Sequence, residues 1–250
     1  MLVRAHHAMA SETILLCTDL DGTVLGDTEG EDLFKAWADA ARAKMRIAYV
    51  TGRNWASVCG LIDERRVPVP DYAVCDLGTH IVDLADPGNQ LGRRYESLAD
   101  PAWPAETIRQ AGAHEQTWLQ GPEGQGRFKS SFFWNGQERS LNWFRERLSG
   151  IPDWRLIVTS GTYLDVVPVC FGKDNSVRFL AESLGLPLSR VVVAGDSEND
   201  ADMLAVGARA ILPSNARPAA LEAAAGREYY LSPLPQGRGL VDGLRHFGVP

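Results

Sequence analysis

Thr13-Ile14-Leu15-Leu16-Cys17-Thr18-Asp19-Leu20-Asp21-Gly22-Thr23 opens as an apolar run and closes on two carboxylates and a glycine. A segment apolar on both faces fits a strand of a parallel sheet covered by helices on both sides, whereas a strand with one wet face would alternate. Outward from this stretch the pattern repeats. Residues 31–43 place Leu33, Phe34, Trp37, Ala38, Ala40 and Ala41 on one helical face, and Met45–Val50 reads as a second strand. Residues 53–64 read as a helix and Tyr72–Asp76 as a third strand. Strand and helix in alternation predict an α/β fold on a doubly wound, Rossmann-like parallel sheet.

The alternation breaks between Leu84 and Thr162. Five of the seven tryptophans, Trp103, Trp118, Trp134, Trp143 and Trp154, fall in this stretch, and Pro, Gly and Gln interrupt the apolar periodicity. Arg127–Trp134 reads as a strand, Gln137–Leu148 as a helix, and Trp154–Thr159 and Thr162–Val169 as further strands, which predicts an inserted α+β cap domain. Beyond it, Val177, Leu180, Ala181 and Leu184 are spaced as the stripe of a core-facing helix, and Val191–Ala194 is an apolar strand ending in Gly195-Asp196. A helix over 198–206, a strand over 209–212, an Ala-rich helix from Ala216 and a strand near Tyr229 follow. The expected division is a flexible extension 1–12, a catalytic core made of 13–83 and 165–250, and a cap 84–164.

Composition narrows the partners. With 45% hydrophobic and 23% charged residues the chain can bury a core. Its 25 Lys+Arg against 32 Asp+Glu give a net charge of −7 with no basic stripe, which argues against nucleic acid. No window approaches the roughly 18 apolar residues of a membrane span, and residues 1–12 lack the apolar centre of a signal peptide. Cys17, Cys59, Cys75 and Cys170 show no CxxC spacing, and three lie in apolar runs as small hydrophobes. A reducing, cytoplasmic setting is expected.

Ligands of open α/β sheets bind beyond the carboxyl ends of the strands. Those ends carry Asp19 and Asp21, then Thr51-Gly52-Arg53, then Asp196-Ser197-Glu198-Asn199-Asp200, with Lys173 opening a helix. Carboxylates converging on one edge repel strongly. A divalent cation resolves the conflict, and Mg²⁺ fits best, because it takes one or two carboxylates and completes its shell with water and substrate phosphate. Helix capping explains Asp19 or Asp196 singly, but not Asp19, Asp21, Asp196 and Asp200 together.

Asp19-Leu20-Asp21-Gly22-Thr23, Thr51-Gly52-Arg53, Lys173 and Gly195–Asp200 resemble, in order, the four signature motifs of the haloacid dehalogenase superfamily. The long insert between the second and third motifs resembles the cap of the sucrose-phosphate phosphatase-like branch. Gly78-Thr79, the segment Phe128–Phe132 and Leu164-Asp165-Val166-Val167-Pro168 ahead of Gly172-Lys173 are also similar to that branch. The resemblance implies a Mg²⁺-dependent phosphatase that hydrolyses a sugar phosphate, with a disaccharide monophosphate such as sucrose 6-phosphate or mannosylfructose phosphate as the expected substrate.

It implies Asp19 as the nucleophile that forms an aspartyl-phosphate, and Asp21 as the acid that protonates the leaving oxygen and then activates water. Thr51 and Lys173 would hold the phosphoryl oxygens. Asp19, the Asp21 carbonyl, Asp196 and Asp200 or Asn199 would bind the metal. Gly52 and Arg53 are expected beside the phosphate. In the cap, Lys129 and Ser131 fall on one face of their strand and are candidate sugar contacts. The glycosyltransferase that makes the substrate is an expected partner. Other readings stay open: a smaller phosphate ester (a hexose phosphate, a glucosylglycerol-type ester or a phosphoglycerate conjugate), a phosphomutase, or a binding domain with a vestigial site. Asp21 speaks against a dehalogenase, which has no leaving alkoxide to protonate.

Overall fold

The first strand, β1 (Ile14–Thr18), sits in the middle of the larger of two sheets. The computed structural model describes residues 13–249, so the expected extension 1–12 lies outside the described residues. On one side of β1 run β2 (Met45–Val50), β3 (Tyr72–Cys75) and the antiparallel β4 (His80–Asp83). On the other side run β9 (Val191–Ala194), β10 (Arg209–Leu212) and β11 (Tyr229–Leu231), all parallel to it. The unbroken apolar run has a direct cause. Leu15 and Cys17 enter the hydrophobic cluster on one face of the sheet, and Leu16 enters the cluster on the other.

Helices cover both faces. In α1 (Thr28–Ala41) the Asp27 side chain caps the first turn by accepting from the Gly30 amide at 2.6 Å, and Phe34, Trp37, Ala38 and Ala41 form the buried stripe. The chain continues through α2 (Trp55–Asp63), α3 (Gln90–Glu96), α4 (Ala105–Gly112) and α5 (Glu138–Arg147). It then runs through α6 (Lys173–Ser183), α7 (Ala201–Leu204), α8 (Pro218–Ala224) and α9 (Gln236–His246). The expected helix 198–206 is a 3₁₀ turn, Glu198–Asp200, followed by the short α7. Helix α9 had no counterpart in the sequence reading. Three buried glycines weaken its helical signal: Gly237 lets it approach Gly30 of α1, while Gly239 packs on Pro213 and Gly243 on Ile211 of β10.

The smaller sheet has the order β5-β6-β8-β7, from β5 (Thr117–Leu119), β6 (Ser130–Trp134), β7 (Trp154–Thr159) and β8 (Tyr163–Pro168), all antiparallel. Its inner face packs on α4 and α5 around Ile108, Phe132, Phe144, Leu148 and Leu164. Helix α3, which lies within residues 84–164, packs instead on β4, and its Tyr95 is buried in the large-sheet cluster with Phe128 and Phe171. The whole of β8, including Asp165–Pro168, pairs within the smaller sheet. Among the described residues, no helix is long and apolar enough to cross a membrane.

Candidate active site

Because β1 is flanked by β9 and β2, the connections leave it in opposite directions and a crevice opens at its carboxyl end. Asp19 is the first residue beyond β1, and its amide donates to the Ala194 carbonyl at the end of β9 at 2.9 Å. The acids after β9 are thereby brought beside it. Asp19, Asp196 and Asp200 are all buried, and each offers a carboxylate oxygen within 4.8 Å of the other two.

Lys173, the first residue of α6, drives its ammonium into this cluster. Its Nζ donates to Asp19 Oδ1 at 2.7 Å, to Asp200 Oδ1 at 2.6 Å and to Asn199 Oδ1 at 3.4 Å, with only 2% of the residue exposed. Burial works against the ammonium, yet the two carboxylates hold its pKa above the ordinary value. Burial also raises the pKa of Asp19, with Lys173 opposing the rise. Asp196, again through burial and then through Asp200, is pushed up to about 6. One lysine therefore leaves three carboxylates partly uncompensated, a donor set that fits a hard divalent cation.

Each member is held by its own local device. Asp200 Oδ2 accepts from the amides of Asp196 and Ser197, both at 3.0 Å, closing a capping box on the 3₁₀ turn while its other oxygen serves Lys173. Asp200, for which capping was not expected, thus combines a capping role with membership of the acid cluster. Asp196 Oδ1 accepts from the Thr23 hydroxyl at 3.0 Å. Gly22 has φ +84, and a Cβ there would lie 2.5 Å from Asp196 Oδ2, so the turn after Asp21 passes the acid only as glycine. Gly78, at φ +89, admits Lys173: a Cβ would meet the Gly172 carbonyl oxygen at 2.3 Å and the Lys173 amide nitrogen at 2.6 Å. That contact makes glycine at position 78 a requirement for seating the Gly172-Lys173 pair here.

Thr51 is buried at the end of β2 and its Oγ1 accepts from the Arg53 amide at 3.2 Å, a turn that aims the loop toward the crevice. Gly52 faces Leu77 and Asn199. The Asp21 side chain stands outside the acid cluster. Arg53 grips it with two bonds of 2.7 Å, from Nε to Oδ2 and from Nη2 to Oδ1. Arg53 thus touches Asp21.

The two cap candidates do share a face, and both are buried. Lys129 Nζ donates to the Gly52 carbonyl at 3.2 Å and pairs with Asp76 at 3.0 Å; Ser131 donates to Asp165, its register partner on β8. Burial raises the Asp165 pKa, with Lys129 and then Ser131 opposing it. Asp76 and Asp165 were not among the sequence candidates, because only the pairing of β6 with β8 and the closure of the cap bring them to Lys129. A second bridge between the sheets was also missed: Arg217 donates to Ser160 Oγ at 2.8 Å in the β7–β8 hairpin and pairs with Glu198 at 3.3 Å.

The sucrose-6F-phosphate phosphohydrolase family model matches residues 12–248. The chain belongs to that family. It is 28% identical to mannosylfructose-phosphate phosphatase of Agrobacterium fabrum, over 94% of this chain and 97% of that one. It is 30% identical to glucosylglycerol-phosphate synthase of Pseudomonas anguilliseptica over 94% of this chain, but spans only 31% of the synthase. A sucrose-phosphatase of Synechocystis sp., solved with sucrose and phosphate, superposes with a TM-score of 0.85 at 24% identity, covering 95% of this chain and 98% of that one. That similarity shows that the two chains share one fold.

Proposed function

We propose that this chain is a Mg²⁺-dependent phosphatase that hydrolyses a disaccharide monophosphate, of the kind represented by sucrose 6-phosphate or mannosylfructose phosphate, through an aspartyl-phosphate. The observation that carries the proposal is the buried Asp19–Lys173–Asp200 constellation, assembled from three distant segments at the switch point of the sheet. Such a cluster is costly to bury without a chemical use. Family membership supports sugar phosphates as the substrate class, and the named relatives support its disaccharide branch.

In the proposed reaction an Asp19 carboxylate oxygen attacks phosphorus, and the bond from phosphorus to the sugar oxygen breaks. The leaving oxygen takes a proton from Asp21, which must first exchange the Arg53 clamp for the substrate. Water then attacks the phosphoryl group and gives its proton to Asp21, and the phosphorus–Asp19 bond breaks to release inorganic phosphate. Lys173 and Thr51 hold phosphoryl oxygens and offset the charge that grows on them. Asp19, Asp196 and Asp200, with the Asp21 carbonyl, would hold Mg²⁺, which when bound draws the two anionic reactants together.

The cap enters the proposal as the specificity domain, with its hinges between α3 and α4 and between β8 and α6, where the packing changes sheets. A reducing, cytoplasmic setting and a synthesising glycosyltransferase as partner belong to the same proposal. The similarity to a stretch of a sugar-phosphate synthase supports the partner. Asp19→Asn tests the assignment: activity should fall below a few per cent of wild type with unchanged circular dichroism. Substantial residual turnover would sink it.

A further inference from the structure

The outer face of the smaller sheet is divided into two zones. Along β6, Phe132 and Trp134 point to the cap's own core, where the Phe132 and Phe144 rings meet at 5.0 Å. Ser131 and Phe133 take the opposite face by the two-residue alternation of a strand. Register then fixes what lies beside them. Asp165 pairs with Ser131; Tyr163 and Trp118 flank Phe133 on its two neighbouring strands. One zone is polar and ends at Lys129 on the Gly52 carbonyl. The other is a row of three aromatic rings, Trp118–Phe133 at 6.2 Å and Phe133–Tyr163 at 5.6 Å.

This row is uncovered. Trp118 is 48% and Tyr163 39% exposed, whereas the other four tryptophans of this region, Trp103, Trp134, Trp143 and Trp154, pack into the cap's core. Cross-strand aromatic pairing stabilises a sheet wherever it occurs, but it does not require the rings to stay wet, and contiguous exposed apolar surface marks a binding site. The sheet face that bears the row is anchored to the core domain at both ends, by Lys129 on Gly52 and by Ser160 on Arg217. Phe133 stands four residues from Lys129, about 13 Å at strand rise. Counted along this face from the Gly52 loop, the row therefore lies beyond the polar zone, on the side where a second ring would extend.

We propose that Trp118, Phe133 and Tyr163 form a stacking platform for the ring of the substrate distal to the phosphate, so that the row selects a glycosyl-sugar phosphate over a single-ring ester. The inference rests on the phosphatase reading above. Sugar rings present CH-lined faces that displace water from flat aromatic surfaces, while the polar zone serves the proximal ring. Binding energy gained so far from phosphorus is realised in turnover as well as in affinity.

The test compares wild type with Trp118→Ala, Tyr163→Ala and Trp118→Phe, each checked for unchanged melting. For each, kcat/KM is measured on sucrose 6-phosphate, mannosylfructose phosphate, glucose 6-phosphate and p-nitrophenyl phosphate. The ratio of disaccharide to p-nitrophenyl efficiency should fall at least about tenfold in the alanine variants and be largely kept in Trp118→Phe. In parallel, binding of free sucrose, read by saturation-transfer NMR, should be present in wild type and lost in Trp118→Ala. An unchanged ratio in the variants overturns the platform and leaves the phosphatase reading intact; a wild type that cleaves only single-ring esters overturns both the platform and the disaccharide substrate, and leaves the phosphatase chemistry standing. Absence of all turnover with Mg²⁺ overturns the phosphatase reading, and the sucrose-binding arm still decides the platform. If Trp118→Ala changes the oligomeric state and not the ratio, the row is a protein interface and the proposal is wrong.

Discussion

Replacing Lys173 with Met keeps the length of the side chain and removes its charge from a site where almost nothing is solvated. In the metal-free protein, Lys173 is the cation that touches both Asp19 and Asp200, at 2.7 and 2.6 Å. Removing one partner from a buried ion pair costs about 3–5 kcal/mol, because the remaining charges lose their compensation without regaining water. For a protein of this size that corresponds to a fall in Tm of roughly 6–20 °C. The pH dependence carries its own sign. Burial already raises the Asp19 pKa against the pull of Lys173, and loss of Lys173 raises it further. A carboxyl group whose folded pKa lies above its unfolded value favours the folded state when protonated, so the penalty is largest at high pH. It should shrink as the pH falls toward the unfolded value of about 4. Calorimetric melts in EDTA at pH 7.5 and 5.0, for wild type and variant, measure both effects, and added Mg²⁺ should return part of the loss at pH 7.5. A shift under about 2 °C at pH 7.5, or one that fails to shrink at pH 5.0, would refute this account of the cluster.

Two further outcomes follow from the same geometry. EDTA should stop hydrolysis and Mg²⁺ restore it, with Ca²⁺ a poor substitute because its larger, looser shell does not hold the reacting groups in line; Mg²⁺ should also raise Tm by relieving Asp19 and Asp196, and undiminished turnover in metal-free protein would exclude the mechanism. Lys129→Met should lower kcat/KM on every substrate, single-ring esters included, because Lys129 supports the Gly52 loop and leaves Asp76 and Asp165 facing each other when removed; a loss confined to disaccharide phosphates would instead make Lys129 a sugar ligand.

The core was legible because its signals are local. β2, β7, β9 and β10 fall where their apolar runs were read, and every strand-end motif sits at the crevice, since strand order and chain direction alone deliver Asp19, Thr51 and Asp196 to one edge. What escaped depends on contacts between segments far apart in the chain. Lys173 as the partner of Asp19 joins residues 154 positions apart, and Asp165 beside Ser131 joins residues 34 apart through a register that no local pattern encodes. Five of the seven tryptophans lie between residues 84 and 162, where the strand–helix alternation breaks. The structure gives four of those five side chains to packing, and the apolar spacing that marks a helix or strand cannot tell a core tryptophan from an exposed one.

That difference in legibility tracks a difference in chemistry. Phosphoryl transfer needs the same few charges in fixed positions, and those are carried on short, rigid strand-to-helix turns where one residue type at one spacing has a single meaning. Recognition of the remainder of the substrate needs area and outline, which a sheet face supplies through alternation and register summed over several strands. Two chains can therefore share every residue of the crevice and differ in substrate through positions such as Trp118, Phe133 and Tyr163. None of these lies at the end of a core strand, and their adjacency exists only once β5, β6 and β8 have paired. On the proposed reading, substrate preference is set by residues whose exchange leaves the Asp19–Lys173–Asp200 site untouched, so the Trp118 and Tyr163 variants should alter the choice of substrate without altering the reaction.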